Sequence, residues 1–386
     1  LKFEFATAGR VLFGRGAIRE VPDLARGLGR RALLVLGKSG RGGDAMATAL
    51  DAAGIPSARY RVAGEPTTTM VDEASALARR SGCDHVVSLG GGSVIDLGKA
   101  VAGMLANPGE VLDYLEVVGR GLPLANPALP SIAIPTTSGT GAEVTRNAVL
   151  DVAGKHVKVS LRSYHLLPRA AVVDPALTDE LPPAITAYTG MDAVTQLIEA
   201  FVSHAASPMT DGVCREGLRL AAGAIVPAFE DGANRAARDA MSVAATFSGM
   251  ALANAKLGAV HGFAGVLGGV TGHAHGAICA RLLPFVCEAN VRALQESGSP
   301  EASRTLDRYA EVARILTADP SARPEDAAAW ARRVGERFAI PPLGAAGLKS
   351  SDFPAIIPAA ERASSMQGNP IKLPADELRA ILEAAM

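Results

Sequence analysis

Residues 85–100 read HVVSLGGGSVIDLGKA. A short β-rich apolar run, residues 85–89, enters three consecutive glycines, Gly90, Gly91 and Gly92, and a helical pattern opens at Ser93. Glycines between strand and helix let a backbone approach a ligand closely. The helix that follows offers leading N–H groups and the positive end of its dipole to a pyrophosphate. Ser93 is placed to cap that helix or to donate to phosphate, and Asp96 follows one turn later. The turn is neither GxGxxG nor a GK[ST] P-loop, and alone it reads equally as a tight structural turn.

Outward from this turn, residues 31–37 (RALLVLG), 131–134 (SIAI) and 171–173 (AVV) predict further buried strands. Residues 69–80 (TMVDEASALARR) carry apolar side chains at helical spacing and stop at Gly82. Strands separated by helices imply parallel pairing through right-handed crossovers. Residues 1–180 are therefore expected to form a Rossmann-like, doubly wound α/β domain. After Pro182-Pro183 the chain becomes Ala-rich with helical periodicity, as in residues 187–202, 214–224, 303–316 and 326–338. Residues 181–386 are expected to form an all-α domain.

A second ligand loop is readable after the third strand, where residues 135–145 are PTTSGTGAEVT. Thr136, Thr137, Ser138 and Thr140 put four hydroxyls at a strand's C-terminal end, where open α/β sheets hold their ligands. A hydroxyl-rich surface loop is the competing reading. At the end of the first strand stand Gly37, Lys38, Ser39, Gly40 and Arg41, with no carboxylate among them. NAD-preferring dinucleotide sites often place an acid there for the ribose hydroxyls. Basic and hydroxyl residues in its place leave room for the 2′-phosphate of NADP.

The bulk numbers exclude several classes. Thirty-eight basic and 39 acidic residues give a net charge of −1 with no block of one sign, so no nucleic-acid or anionic-membrane partner is expected. Four cysteines, Cys83, Cys214, Cys279 and Cys287, include no CxxC pair and argue against a zinc knuckle or a disulfide framework. The opening LKFEFATAGRVLFG lacks a signal-peptide pattern, and a cytoplasmic location is expected. Residues 257–280 hold no Asp, Glu, Lys or Arg, but seven glycines and three histidines in that run suit a buried site better than lipid.

Those histidines, His261, His273 and His275, direct attention to the helical half. There Asp192, Gln196 and Glu199 lie at i, i+4 and i+7 on one helix face. Such a face alone is usually solvated. Beside three clustered histidines it makes a mixed N/O site for a divalent ion a natural reading. A cation would suit alcohol oxidation, since it lowers the pKa of the hydroxyl and polarises the carbonyl in reverse, while a nicotinamide takes the hydride.

With these motifs in order (VLFGRGAI, GGGSVIDLGKA, PTTSGTGAEVT, KVSLRSYHLLPRAAVVDPALTDELPP, GMDAVTQLIEAF and the His261/His275 stretch), the sequence resembles the iron-containing alcohol dehydrogenases along essentially its whole length. The resemblance implies a Rossmann-like domain followed by a helical domain, with cofactor and metal meeting in the cleft between. It implies NAD or NADP as cofactor, small alcohol or aldehyde substrates, and a homodimer or higher homo-oligomer. Carried over, Gly91, Gly92 and Ser93 would hold the pyrophosphate, with Asp96 near it. Gly37 and Ser39 would face the adenosine ribose, and Thr136, Thr137, Thr140 and Lys158 would line the rest of the cofactor. The implied metal positions are Asp192, Gln196, His261 and His275, with His273 as a reserve ligand. The ion would be Fe2+, or Zn2+ as in the zinc-dependent glycerol dehydrogenases that resemble a three-ligand arrangement. Two positions depart from the family pattern: Gln196 stands where a histidine ligand is common, and Gly265 where a further histidine often relays protons. A maleylacetate-reductase-like enzyme acting on a keto acid and a dehydroquinate-synthase-like lyase are the competing activities within the superfamily.

Overall fold

The computed structural model describes residues 2–116, 118–152 and 157–386. Among the described residues eight strands are formed: β1 (Val11–Phe13), β2 (Ala32–Gly37), β3 (Ser57–Val62), β4 (His85–Gly90), β5 (Ser131–Pro135), β6 (Asn147–Val152), β7 (Val157–Arg162) and β8 (Ala170–Val173). Among them run α1 (Val21–Arg26), α2 (Gly43–Ala52), α3 (Thr68–Ser81), α4 (Gly92–Ala106) and the single turn α5 (Val111–Tyr114).

Six strands pair in the order β1-β8-β5-β4-β2-β3, every pair parallel, and β6 and β7 form a separate antiparallel ribbon. Helices cover both faces of the sheet, and the strands show why. Along β2, Leu33 and Val35 pack with residues of α3 and α4, whereas Leu34 and Leu36 pack with α1 and α2. A strand apolar on both sides must be covered on both sides. Chain order reverses at β2, which has β3 on one side and β4 on the other. The crevice at the C-terminal ends of β2 and β4 is thus a topological switch point, where ligands of such sheets bind. Gly37 and the Gly90-Gly91-Gly92 turn both lie there.

Local chemistry sets the element ends. Thr67 caps α3 by accepting from the Met70 N–H at 3.1 Å, and Gly82 closes it in the left-handed region at φ 67°. Gly98 permits α4 to lie close on β4, since a Cβ there would stand 1.9 Å from Ser88 Oγ.

The second half is helical: α6 (Pro183–Val202), α7 (Pro208–Glu230), α8 (Arg235–Asn254), α9 (Ala259–Thr271), α10 (His275–Ser297), α11 (Pro300–Thr317), α12 (Asp326–Arg337), α13 (Phe353–Arg362) and α14 (Ala375–Ala385). The chain divides into two compact units. One is Ala6–Thr137 with Gly141–Asp179; the other joins residues 2–5 and Ser138–Thr140 to Glu180–Met386. The loop tip Ser138–Thr140 thus belongs with the helices. Buried Ser138 Oγ lies 3.0 Å from Ser242 Oγ, and Gly139 sits so close to Thr189 that a Cβ would meet it at 2.6 Å.

At the centre of the helical unit is α6, buried at every residue from Gly190 to Val202. The charge-free run 257–280 becomes α9 and the start of α10, broken at Gly272 (φ 65°). Among the described residues no single helix is long and apolar enough to cross a membrane.

Candidate metal centre and dinucleotide site

In the α/β unit, Gly91 is extended (φ −73°, ψ −175°) and precedes α4, whose first turn carries no side-chain cap. The leading N–H groups at Gly92 and Ser93 therefore point out of the helix with no capping side chain spent on them, the arrangement that receives phosphate. Thr137 stands beside the turn, with Oγ1 3.5 Å from where a Gly91 Cβ would be, and the Thr136 N–H donates to the Gly90 carbonyl at 3.0 Å. Thr140, unlike these, belongs to the helical unit.

Two expected cofactor residues have protein partners within the α/β unit. Asp96 pairs with Lys99 at 2.9 Å through one oxygen and accepts the Val149 N–H at 3.1 Å through the other. Burial raises its pKa, and Lys99 works against that rise. Lys158 pairs with Glu65 at 3.5 Å.

At the end of β2, Gly37 has an ordinary backbone, and a Cβ there would touch only Val94, at 3.7 Å. Gly40 is left-handed (φ 64°) and lies under the Arg61 guanidinium, 2.7 Å from a would-be Cβ. Arg61, on neighbouring β3, thus stands beside the loop of exposed Lys38, Ser39 and Arg41 that follows β2. Arg61 is hard to single out in the sequence because SARYRV alternates charge with aromatic and small residues. The usable signal is an arginine one residue from the end of a strand beside β2.

In the helical unit, Asp192, His261 and His275 converge. Together with Cys279 each offers one donor atom, and all four atoms lie within 4.8 Å of one another. Asp192 comes from buried α6, His261 from the first turn of α9, and His275 and Cys279 from successive turns of α10. Asp192 Oδ1 is 3.2 Å from His261 Nε2 and 3.8 Å from His275 Nε2. His273 is not in this group; its Nε2 is buried without a partner among the described residues.

Glu199, on the same face of α6, organises the cluster. Its Oε2 accepts from His261 Nδ1 at 2.6 Å and its Oε1 from the Val260 N–H at 2.7 Å. A carboxylate facing Nδ1 holds the Nδ1–H and directs Nε2 toward Asp192, so that a cation bound there would take the place of the Nε2 proton. Gly258 makes the approach feasible, since a Cβ there would stand 2.7 Å from Glu199 Oε1.

The field of the site favours positive charge. Burial opposes charge on His261, yet Cys279, Asp192 and Glu199 outweigh it and hold its pKa well above the usual imidazole range. Burial likewise opposes a charged His275, and Cys279 and Asp192 raise it. For Asp192, burial pushes upward, but the two imidazoles pull its pKa below the ordinary carboxylate value. Two nitrogens and a carboxylate oxygen, oriented from behind and attracting positive charge, suit a borderline divalent ion such as iron or zinc. His275 keeps 34% of its side chain exposed while Asp192 keeps 2%, so solvent reaches the cluster at His275 and not at Asp192.

Gln196 is differently engaged. Its Nε2 donates to Asp192 Oδ2 at 3.2 Å, and its Oε1 accepts from Ser248 Oγ at 2.9 Å. At Gly265, one turn beyond His261 on α9, an added Cβ would meet nothing within 4 Å, so this position is open space.

The described residues thus include a glycine turn at the switch point of a parallel sheet and, among the helices, a buried cluster of N and O donors that could hold a metal ion. Comparison with known proteins gives the particular family. Residues 8–175 match the iron-containing alcohol dehydrogenase family, and residues 186–386 match the C-terminal part of the same family. The 4-hydroxybutyrate dehydrogenase of Cupriavidus necator is 36% identical over 365 residues, 92% of each chain. The 1,3-propanediol dehydrogenase of Klebsiella pneumoniae is 34% identical over 399 residues, covering 99% of this chain and 98% of its own. A crystal structure of a 1,3-propanediol oxidoreductase superposes with a TM-score of 0.92 at 34% identity, both chains covered in full. The chain belongs to the iron-containing alcohol dehydrogenase family. Its activity is metal-dependent hydride exchange between NAD(P) and an alcohol or its carbonyl compound.

Proposed function

We propose that this chain reduces small aldehydes or ketones, and oxidises the matching alcohols, with Asp192, His261 and His275 holding the divalent ion and NADPH accepted at least as well as NADH. The observation that carries the reading is the convergence of those three donors within 4.8 Å. When bound, the ion supplies Lewis-acid polarisation of the substrate oxygen and the nicotinamide supplies or takes the hydride. The chain's own part is to position and to exclude water. Buried α6 fixes Asp192, Glu199 fixes His261, and the exposed side of His275 leaves an approach for a small substrate. The Ala-, Val- and Gly-rich composition of α9 favours an uncharged one. Gly91, Gly92, Ser93 and Thr137 receive the pyrophosphate in this reading. Thr136, Thr140 and Lys158 line the cofactor, and Asp96 acts by holding α4 in place.

To test it, the purified protein is stripped with a chelator, reloaded with Fe2+ or Zn2+, and offered an aldehyde and ketone panel with NADH and NADPH. Activity should vanish on stripping and return on reloading. No net NAD(P)H turnover after reloading would end the proposal.

The dinucleotide preference has its own test. Gly37→Asp meets only Val94 sterically and places a carboxylate where a 2′-phosphate would lie among Lys38, Arg41 and Arg61. The NADPH-to-NADH ratio of kcat/KM should be near or above unity in the parent and fall by about tenfold or more in the variant, the scale of one lost charge-assisted contact. An unchanged ratio would show that the ribose is read elsewhere.

We also propose a cytoplasmic location, supported by four cysteines that are all free thiols. A homo-oligomer is supported by edge strand β1, which leaves Val11 and Phe13 37% and 46% exposed.

A further inference from the structure

We propose that Cys279, not Gln196, is the fourth protein ligand of the metal centre, giving a site of two imidazoles, one carboxylate and one thiolate. The inference rests on the reading of Asp192, His261 and His275 as ligands and adds a sulfur donor to it.

Distances carry the argument. Metal–ligand bonds of about 2.0–2.2 Å to N and O and about 2.3 Å to S imply tetrahedral edges of about 3.3–3.4 Å between N and O, and about 3.5–3.6 Å between N and S. Cys279 Sγ lies 3.6 Å from His275 Nε2 and 3.9 Å from His261 Nε2. Asp192 Oδ1 lies 3.2 and 3.8 Å from His261 Nε2 and His275 Nε2. These four of the six edges match a tetrahedron to within about half an ångström of those lengths, and the other two are within 4.8 Å. Helix geometry explains the placement of the sulfur: His275 and Cys279 are four apart on α10 and share a face.

Gln196 sits on the wrong side of Asp192. The cluster gathers around Oδ1, whereas the Gln196 amide meets Oδ2, and its far end rests on Ser248. Turning the amide over would exchange its N and O but leave it beside Oδ2. Its role in this assignment is to position the Asp192 carboxylate. A thiolate in place of a neutral amide makes the centre softer, and it should select zinc, iron or cobalt over magnesium or manganese.

The test uses the full chain, stripped and reloaded with Co2+, whose visible d–d bands report binding and whose near-ultraviolet sulfur-to-cobalt charge-transfer band reports a thiolate ligand. Both signals are expected in the parent and in Gln196→Ala. Cys279→Ser should keep d–d bands, through the remaining three ligands, and lose the charge-transfer band. By competition with a chromophoric chelator, Cys279→Ser should bind zinc at least about tenfold more weakly than the parent, and Gln196→Ala should lose less. Cobalt bound without the charge-transfer band in the parent overturns the sulfur assignment and leaves the three-ligand centre standing. A zinc affinity lost in Gln196→Ala but kept in Cys279→Ser overturns it as well. Failure of the parent to bind cobalt at all overturns both readings.

Discussion

Replacing Glu199 with glutamine should weaken metal binding by about 10- to 100-fold, although Glu199 is not itself a proposed ligand. The carboxylate accepts from both His261 Nδ1 and the Val260 N–H. A glutamine can still accept from Val260 through its oxygen, but then its amide N–H2 faces Nδ1, donor against donor. The imidazole relieves this by moving its proton to Nε2, and a protonated Nε2 has no lone pair for a cation. The change is nearly isosteric, so the fold should survive. Chelator competition for zinc measures the affinity directly. A positioning role further requires that kcat recover toward the parent value when metal is raised in excess. An affinity within about twofold of the parent's, well short of the range expected for a lost orienting partner, would show that His261 keeps its tautomer without this partner.

How far the sequence reveals this site follows from the kind of signal each residue leaves. His261 and His275 stand out because histidines among glycines and apolar residues are poor core material. Asp192 and Glu199 are visible as a polar face on an Ala-rich helix, a pattern that usually means solvent. Only tertiary packing decides otherwise: α6 is enclosed on all sides, so its polar residues have to find partners inside. Cys279 leaves no usable mark. A lone cysteine is a common core residue, and its relation to His275 matters only once α10 turns both toward Asp192. The parallel sheet is legible where strands are buried on both faces, as in β2 and β4, both predicted to within a residue or so. Strand β3 is not, since SARYRV on the sheet edge carries charges at its exposed positions. β1, three residues long, and the β6–β7 ribbon also escape notice. Asp96 carries a role the sequence does not suggest: an acid next to a glycine turn of this kind invites a ligand reading, and in the structure both its oxygens also bind within the α/β unit.

That engagement sets up the largest expected stability effect. Lys99 is 1% exposed, and its ammonium reaches Asp96, the Ala142 carbonyl and Thr145 Oγ1, each at 2.9 Å. It thereby ties α4 to the C-terminal end of the hydroxyl-rich loop. Lys99→Met fits the volume but leaves the Asp96 carboxylate in the interior with a single N–H donor, from Val149. Breaking a buried pair by removing one partner costs about 3–5 kcal/mol. The melting temperature should fall by several degrees at neutral pH. The pH dependence has a definite sign. Burial already raises the Asp96 pKa above its ordinary value while Lys99 lowers it; without Lys99 the folded-state pKa rises further. A folded state that holds its proton more tightly than the unfolded chain loses stability as pH rises through the window between the two values. The deficit of Lys99→Met should therefore be greatest at neutral pH and shrink as pH falls below the raised folded-state pKa. Adding Asp96→Asn removes the stranded charge and should restore most of the loss, because an absent pair costs far less than a broken one. A double variant no more stable than Lys99→Met would mean that the lost bonds to Ala142 and Thr145, rather than the unpaired carboxylate, dominate.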